Sequence, residues 1–121
     1  MILASLLSLA HFAGAASAAE NGNRSLVDAA KQGDRQAVRS LLDSGAKVDA
    51  AGAEGMTALM WAAQRNDIEM ADRLLRAGAD VNAANDYGAT ALYAAAANAD
   101  PEMAAMLLGS GADAANLRWV G

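Results

Sequence analysis

The chain repeats itself every 33 residues, and that period restricts its fold more than any other feature. LVDAAKQGDRQAVRSLLDSGAKVDA begins at Leu26, LMWAAQRNDIEMADRLLRAGADVNA at Leu59 and LYAAAANADPEMAAMLLGSGADAAN at Leu92, with no insertion or deletion between copies. Leu41, Leu74 and Leu107 share one phase, as do Ala29, Ala62 and Ala95, Asp34, Asp67 and Asp100, and Gly45, Gly78 and Gly111. A unit of this size is one supersecondary element that cannot bury its apolar side alone. Its copies must lean on one another in register and share a core.

Each unit reads as two short antiparallel helices and a turn. Thr57 and Thr90 stand where a first helix opens, their hydroxyls placed to accept from an orphan backbone N–H, and the alanines that follow let a neighbouring helix approach closely. A break falls at Gly33, Asn66 and Ala99. A left-handed backbone there suits Gly or Asn but not Ala, so the third unit is expected to be the most strained. Asp34, Asp67 and Asp100 are N-caps for the second helices, and the third has Pro101 at its first helical position with Glu102 beside it. Met70, Leu74 and Leu75 form an apolar stripe that ends at Gly78, and GADVNAANDYG follows as a polar extended turn, hairpin-like in character.

Composition agrees with small repeated helices. The hydrophobic content is 55%, but with two Trp, two Tyr and one Phe the bulk comes from alanine. Thin apolar volume calls for backbones in close contact. The formal charge of −5 leaves no basic surface for nucleic acid or anionic lipid, and the absence of Cys excludes disulfides, thiolate metal sites and a cysteine nucleophile.

The first nineteen residues, MILASLLSLAHFAGAASAA, carry no charged side chain, whereas all nine Lys/Arg and all fourteen Asp/Glu lie from Glu20 onward. With Ala16 and Ala18 set as A-x-A, residues 1–19 are expected to be a secretory signal peptide cleaved after Ala18 or Ala19, which places the mature chain in the periplasm or outside the cell. The basic residues usual before the apolar core are absent, and the alternative is an uncleaved anchor or an apolar leader.

TALMWAA (57–63) and TALYAAA (90–96) match the pattern T-P-L-H-x-A-A, and LLRAGADVNA (74–83) matches L-L-x-x-G-A-D-V-N-A. On these residues the sequence resembles an ankyrin-repeat protein over about residues 22–121. The resemblance implies an all-α solenoid of stacked helix-turn-helix units with β-hairpin-like turns, occupying 20–121, with repeats at about 22–54, 55–87 and 88–120. Ala58 and Ala91 replace the family's proline. Met60 and Tyr93 replace its histidine, which removes a side-chain hydrogen bond that often braces the turns and implies moderate stability.

The two ends of the array differ. RSLVDAA in the first unit puts Asp28 where Trp61 stands, and a charge there suits a terminal helix with solvent on one side, the N-terminal cap that repeat arrays need. Gly22, Gly55, Gly88 and Gly121 share a phase, so the array is expected to lack a C-terminal cap. Leu117, Arg118, Trp119 and Val120 then read as a turn made to precede another helix pair. The expectation is either a piece of a longer array, or a short chain whose open end is covered by a partner or by itself.

Catalysis finds little support. The only histidine, His11, lies inside the expected signal peptide, so constellations built on imidazole or thiolate have no residues to use. DVNAANDYG (80–88) lacks the sixth-position glycine and closing glutamate of an EF-hand, and GSGAD (109–113) follows a helix instead of opening one. Asn23-Arg24-Ser25 is a formal glycosylation sequon best read as chance. The chain is expected to be no enzyme and to use no metal or cofactor. Trp61, Met60 and Tyr93 read as packing residues, with a ligand anchor as the alternative for Trp61.

The resemblance implies binding through the concave face built by the turn tips and first helices. The register places Ala53, Glu54, Met56, Gln64 and Arg65 there from the second unit, and Asp86, Tyr87, Ala89, Ala97 and Asn98 from the third, with Trp119 and Val120 extending the line. Glu54, Met56, Gln64, Arg65, Asp86, Tyr87, Asn98 and Trp119 are the candidate partner-binding residues, since Tyr, Trp, Arg and Met are enriched at interfaces. The expected function is non-catalytic binding of a protein partner, with no nucleic acid and no membrane beyond the export signal. The alternatives are a scaffold fragment of a longer protein and self-association through the uncapped third unit.

Overall fold

A computed structural model describes residues 25–115. Among the described residues six α-helices fall in three pairs: α1 (Leu26–Lys31) with α2 (Arg35–Asp43), α3 (Ala58–Gln64) with α4 (Ile68–Arg76), and α5 (Ala91–Ala97) with α6 (Pro101–Gly109). A 3-10 turn, Ala53–Gly55, precedes the second pair. Among the described residues there is no strand. The segments between pairs close as hairpin-like turns: Gly52 N donates to Met56 O at 2.8 Å, and Asn85 N to Ala89 O at 2.9 Å.

Capping residues set the helix starts. Ser25, Thr57 and Thr90 accept through their hydroxyls from Asp28 N, Met60 N and Tyr93 N at 3.0, 3.3 and 3.2 Å. Asp34, Asp67 and Asp100 do the same for Ala37 N, Met70 N and Met103 N at 3.0, 3.1 and 3.2 Å. In the second unit Thr57 N also donates to Met60 Sδ at 3.4 Å, closing a capping box. The thioether thus braces the turn at the position where the sequence pattern lost a histidine.

Between the helices of each pair the chain turns left-handed, at Gly33 (φ 74°), Asn66 (φ 58°) and Ala99 (φ 54°). The expected strain is therefore present at Ala99, whose methyl group neither fits that region freely nor offers the local hydrogen bond that Asn can make.

Stacking follows the 33-residue translation. Leu41, Leu74 and Leu107 are 8%, 0% and 0% exposed and belong to one continuous core cluster. Ala29, Ala62 and Ala95 are fully buried, which lets α1 pack on α3 and α3 on α5, whereas the second helices touch one another more sparsely. Leu75 is only half-buried at the edge of that core.

The last described unit differs from the other two. Ala30 and Ala63 are fully buried by the following pair, but Ala96 in the same phase is exposed; Leu42 and Leu75 are half-buried, but Leu108 is 47% exposed. At the other end Asp28 is exposed, as its charge requires. No helix among the described residues is long and apolar enough to cross a membrane. The apolar segment 1–19 and the run Leu117–Val120 lie outside the described residues.

Candidate protein-binding face

The candidate residues fall into three places. Met56, Gln64 and Asn98 lie around a groove of about 210 Å³ between α3 and α5, together with Ala89 and Ala97. The same groove takes in Met60, Asn85, Thr90, Tyr93 and Ala94, and no charged side chain lines it. Asn85 organises one wall: its Oδ1 accepts from Tyr87 N at 2.9 Å and Ala89 N at 3.0 Å, and its Nδ2 donates to Met56 Sδ at 3.4 Å. Met60 is buried and Tyr93 half-buried, so both pack as expected while presenting an edge to the opening.

The second place is the pair of neighbouring turn tips. Asp86 N donates to Glu54 O at 2.9 Å, joining one turn to the next. Glu54 has a positive φ of 61°, and Tyr87 is 67% exposed. Hydrogen bonding toward the Glu54 carboxylate and the charge of Glu54 raise the Tyr87 phenol above its ordinary pKa. Here an acidic edge surrounds one exposed aromatic ring.

Arg65 occupies a third place. Its Nη1 donates to Lys31 O at 3.1 Å, and its guanidinium lies over Gly33 so closely that a Cβ there would come within 2.5 Å of Nη2. Glycine adopts the left-handed turn at position 33 without strain, and any side chain there would have to displace the Arg65 guanidinium. Asn98, one period later, repeats the clasp: Nδ2 donates to Gln64 O at 2.9 Å, to Ala63 O at 3.4 Å and to Asn66 Oδ1 at 3.3 Å. Both side chains hold the C-terminus of the preceding first helix, where free carbonyls need donors, while remaining exposed. Trp119 lies outside the described residues.

A further ladder joins the turns. Asp80 N donates to Asp49 Oδ1 and Asp113 N to Asn82 Oδ1, each at 2.7 Å. Between the outer helices, Arg35 Nε donates to Asp67 at 3.0 Å and Nη1 to Glu69 at 2.8 Å. The hydrogen bond to buried Asp67 is the chief reason that the Arg35 pKa rises further above its ordinary value. Asp67 therefore serves its own helix as a cap and the preceding unit as an anchor.

Trp61 is half-buried against the core, and Lys31 Nζ stands 5.4 Å from the ring centroid, a cation–π arrangement. Of the groove residues that the sequence did not assign to the binding face, such as Asn85, Thr90 and Ala94, one carries a signal: Ala94 is in the phase of Trp61. A cavity announced by a missing side chain is visible only when repeats are compared with each other.

No curated protein matches the chain. The family model for ankyrin repeats, in three copies, matches residues 26–116. Ankyrin repeats are in general protein–protein interaction modules and are typically non-catalytic. With this match over most of its length, and with three helix pairs stacked at a constant 33-residue interval, the chain belongs to the ankyrin-repeat family.

Proposed function

We propose that the chain binds a protein partner, without catalysis, through the concave face formed by α3, α5 and the turns that precede them. The observation that carries this reading is the uncharged groove beside the acidic turn tips, rimmed by Met56, Gln64 and Tyr93. A stacked array presents such a face nearly pre-formed, so little ordering entropy is lost on association. Of the candidate residues, Tyr87 and Glu54 offer an exposed ring and charge. Arg65 and Asn98 contribute by holding neighbouring units at a fixed spacing.

Affinity capture with wild-type chain as bait tests the reading. Ala97→Arg, which puts a charge into the groove, should lose the captured protein, whereas Arg73→Ala on α4 should retain it. Equal capture by both variants would place binding elsewhere.

A second reading is favoured by the exposed Ala96 and Leu108: association of copies through the outer face of α5 and α6. Sedimentation at several concentrations separates it from a monomeric binder, because head-to-tail growth has no closed stopping size. For location we propose export directed by residues 1–19. An intact mass that includes Met1 on material recovered outside the cytoplasm would refute cleavage.

A further inference from the structure

The groove lies where the first junction between units holds a pair of side chains. Between the first and second units, Lys31 and Trp61 face each other, the ammonium 5.4 Å from the ring centroid. One period later the same two positions are Gln64 and Ala94, and both line the groove. The backbone clasp is the same at both junctions, Arg65 to Lys31 O and Asn98 to Gln64 O, so the helices keep a spacing suited to an indole that the second junction does not supply. What remains is an opening of about 210 Å³. That is smaller than the roughly 300–1,000 Å³ of pockets that take a whole small molecule. It suits one large side chain.

The chemistry of the walls and rim narrows the occupant. Met56, Met60 and Tyr93 offer thioether sulfur and a ring edge, surfaces that favour an aromatic neighbour. The exposed Gln64 amide replaces the Lys31 ammonium, so an aromatic ring arriving there meets a polar group without a charge. The turn-tip edge of the opening is acidic: Asp86 follows the lining residue Asn85 and its N–H donates to Glu54 O, while the one cation beside the groove, Arg65, follows Gln64 and is turned onto Lys31 O of the preceding unit.

We propose that the groove between α3 and α5 receives a single aromatic side chain of the partner protein, carried on a segment whose flanking residues are basic. This rests on the concave-face reading and names the anchor that face accepts. The incoming ring takes the place that Trp61 holds at the first junction, and the basic flanks meet Glu54 and Asp86.

The test uses the full chain with methyl-labelled methionine and three synthetic peptides: one Trp between Lys pairs, the same peptide with Ala for Trp, and the same peptide with Glu for Lys. The first peptide should shift the methyl signals of Met56 and Met60 and leave those of the core residues Met70 and Met103 in place. Loss of the Trp should weaken binding about thirtyfold or more, the scale of an interface hot spot. Charge reversal should weaken it further as salt is lowered. Ala94→Trp, which fills the groove from within, should abolish the Met56 and Met60 shifts while circular dichroism and the melting temperature are maintained.

Absence of binding by the first peptide, binding that survives Ala94→Trp, or equal binding of the Glu peptide would overturn the proposal. So would Met56 and Met60 shifts produced by Trp119→Ala with no peptide present, because they would show the groove occupied by the chain's own end. If a captured partner remains sensitive to Ala97→Arg but indifferent to Ala94→Trp, the aromatic anchor is wrong and the concave-face reading stands. If neither variant affects capture, the face itself is wrong.

Discussion

The two junctions of this array share a plan and differ in what fills them. At each, a side chain from the C-terminal end of one first helix clasps the preceding one, Arg65 on Lys31 O at 3.1 Å and Asn98 on Gln64 O at 2.9 Å, and a turn carboxylate or amide accepts from the next turn at 2.7 Å. The first junction adds Trp61 under Lys31 and the Arg35–Asp67 pair. At the second, Ala94 and Gln64 replace the former, and Ile68 stands in the phase of Arg35. Spacing between units is thus set by backbone-directed hydrogen bonds and buried alanines, not by the side chains that fill the edge. Those edge positions are free to be spent on recognition.

If that separation holds, the largest effect should come from the filled edge. Trp61→Ala is expected to lower stability by about 2 kcal/mol, less than for a fully buried aromatic because the ring is half-exposed, and to open a second groove beside Lys31. Urea denaturation with an unchanged slope checks the first part. A loss of about 4 kcal/mol or more, the scale of a fully buried aromatic, would mean that the indole itself sets the spacing.

Next comes the contrast between equivalent caps. Asp67→Ala removes both a helix cap and the acceptor for Arg35 and should cost about 1.5 kcal/mol, whereas Asp100→Ala removes its cap at about 1 kcal/mol. Much of the Arg35 contribution is screened because its guanidinium is exposed. Equal losses, measured by thermal or urea unfolding, would erase the distinction between the junctions.

A gain is expected at the strained turn. Ala99→Gly should stabilise by about 1 kcal/mol by relieving a left-handed alanine, with a smaller change for Asn66→Gly, since Asn tolerates that region better. No gain at position 99 would mean that the extra freedom of glycine in the unfolded chain offsets the relief.

The smallest effect lies at the turn tips. Glu54 raises the Tyr87 pKa above its ordinary value, so the neutral phenol is favoured in the folded chain; that contribution is intact below the unfolded pKa and is lost as pH rises through the raised folded value. Glu54→Gln should bring the Tyr87 titration back toward that of a free phenol, followed by ultraviolet difference spectroscopy. An unmoved titration would show that the two tips do not interact.

Local features were legible because they depend on a few consecutive residues. Asp34, Asp67 and Asp100 announce their caps, Gly33, Asn66 and Ala99 their left-handed turns, and the Leu41, Leu74, Leu107 row its burial, all through spacing alone. The site was harder. Arg65 and Asn98 have the composition of exposed binding residues, and only contacts reaching back more than 30 positions reveal them as clasps. Ala94 reads as an ordinary helix former, and its importance lies in the indole it lacks. Met60 read as the loss of a hydrogen bond, yet its sulfur accepts one, because a flexible thioether can fold back onto the Thr57 amide.

Interchangeability of positions one period apart is most directly tested by placing the indole of the first junction into the second. In Ala94→Trp, nuclear Overhauser contacts from the introduced ring should run to the Gln64 side chain, as those of Trp61 run to Lys31, with the chain at least as stable as wild type. An introduced ring that stays in solvent, without contact to Gln64, would contradict the equivalence of the two junctions.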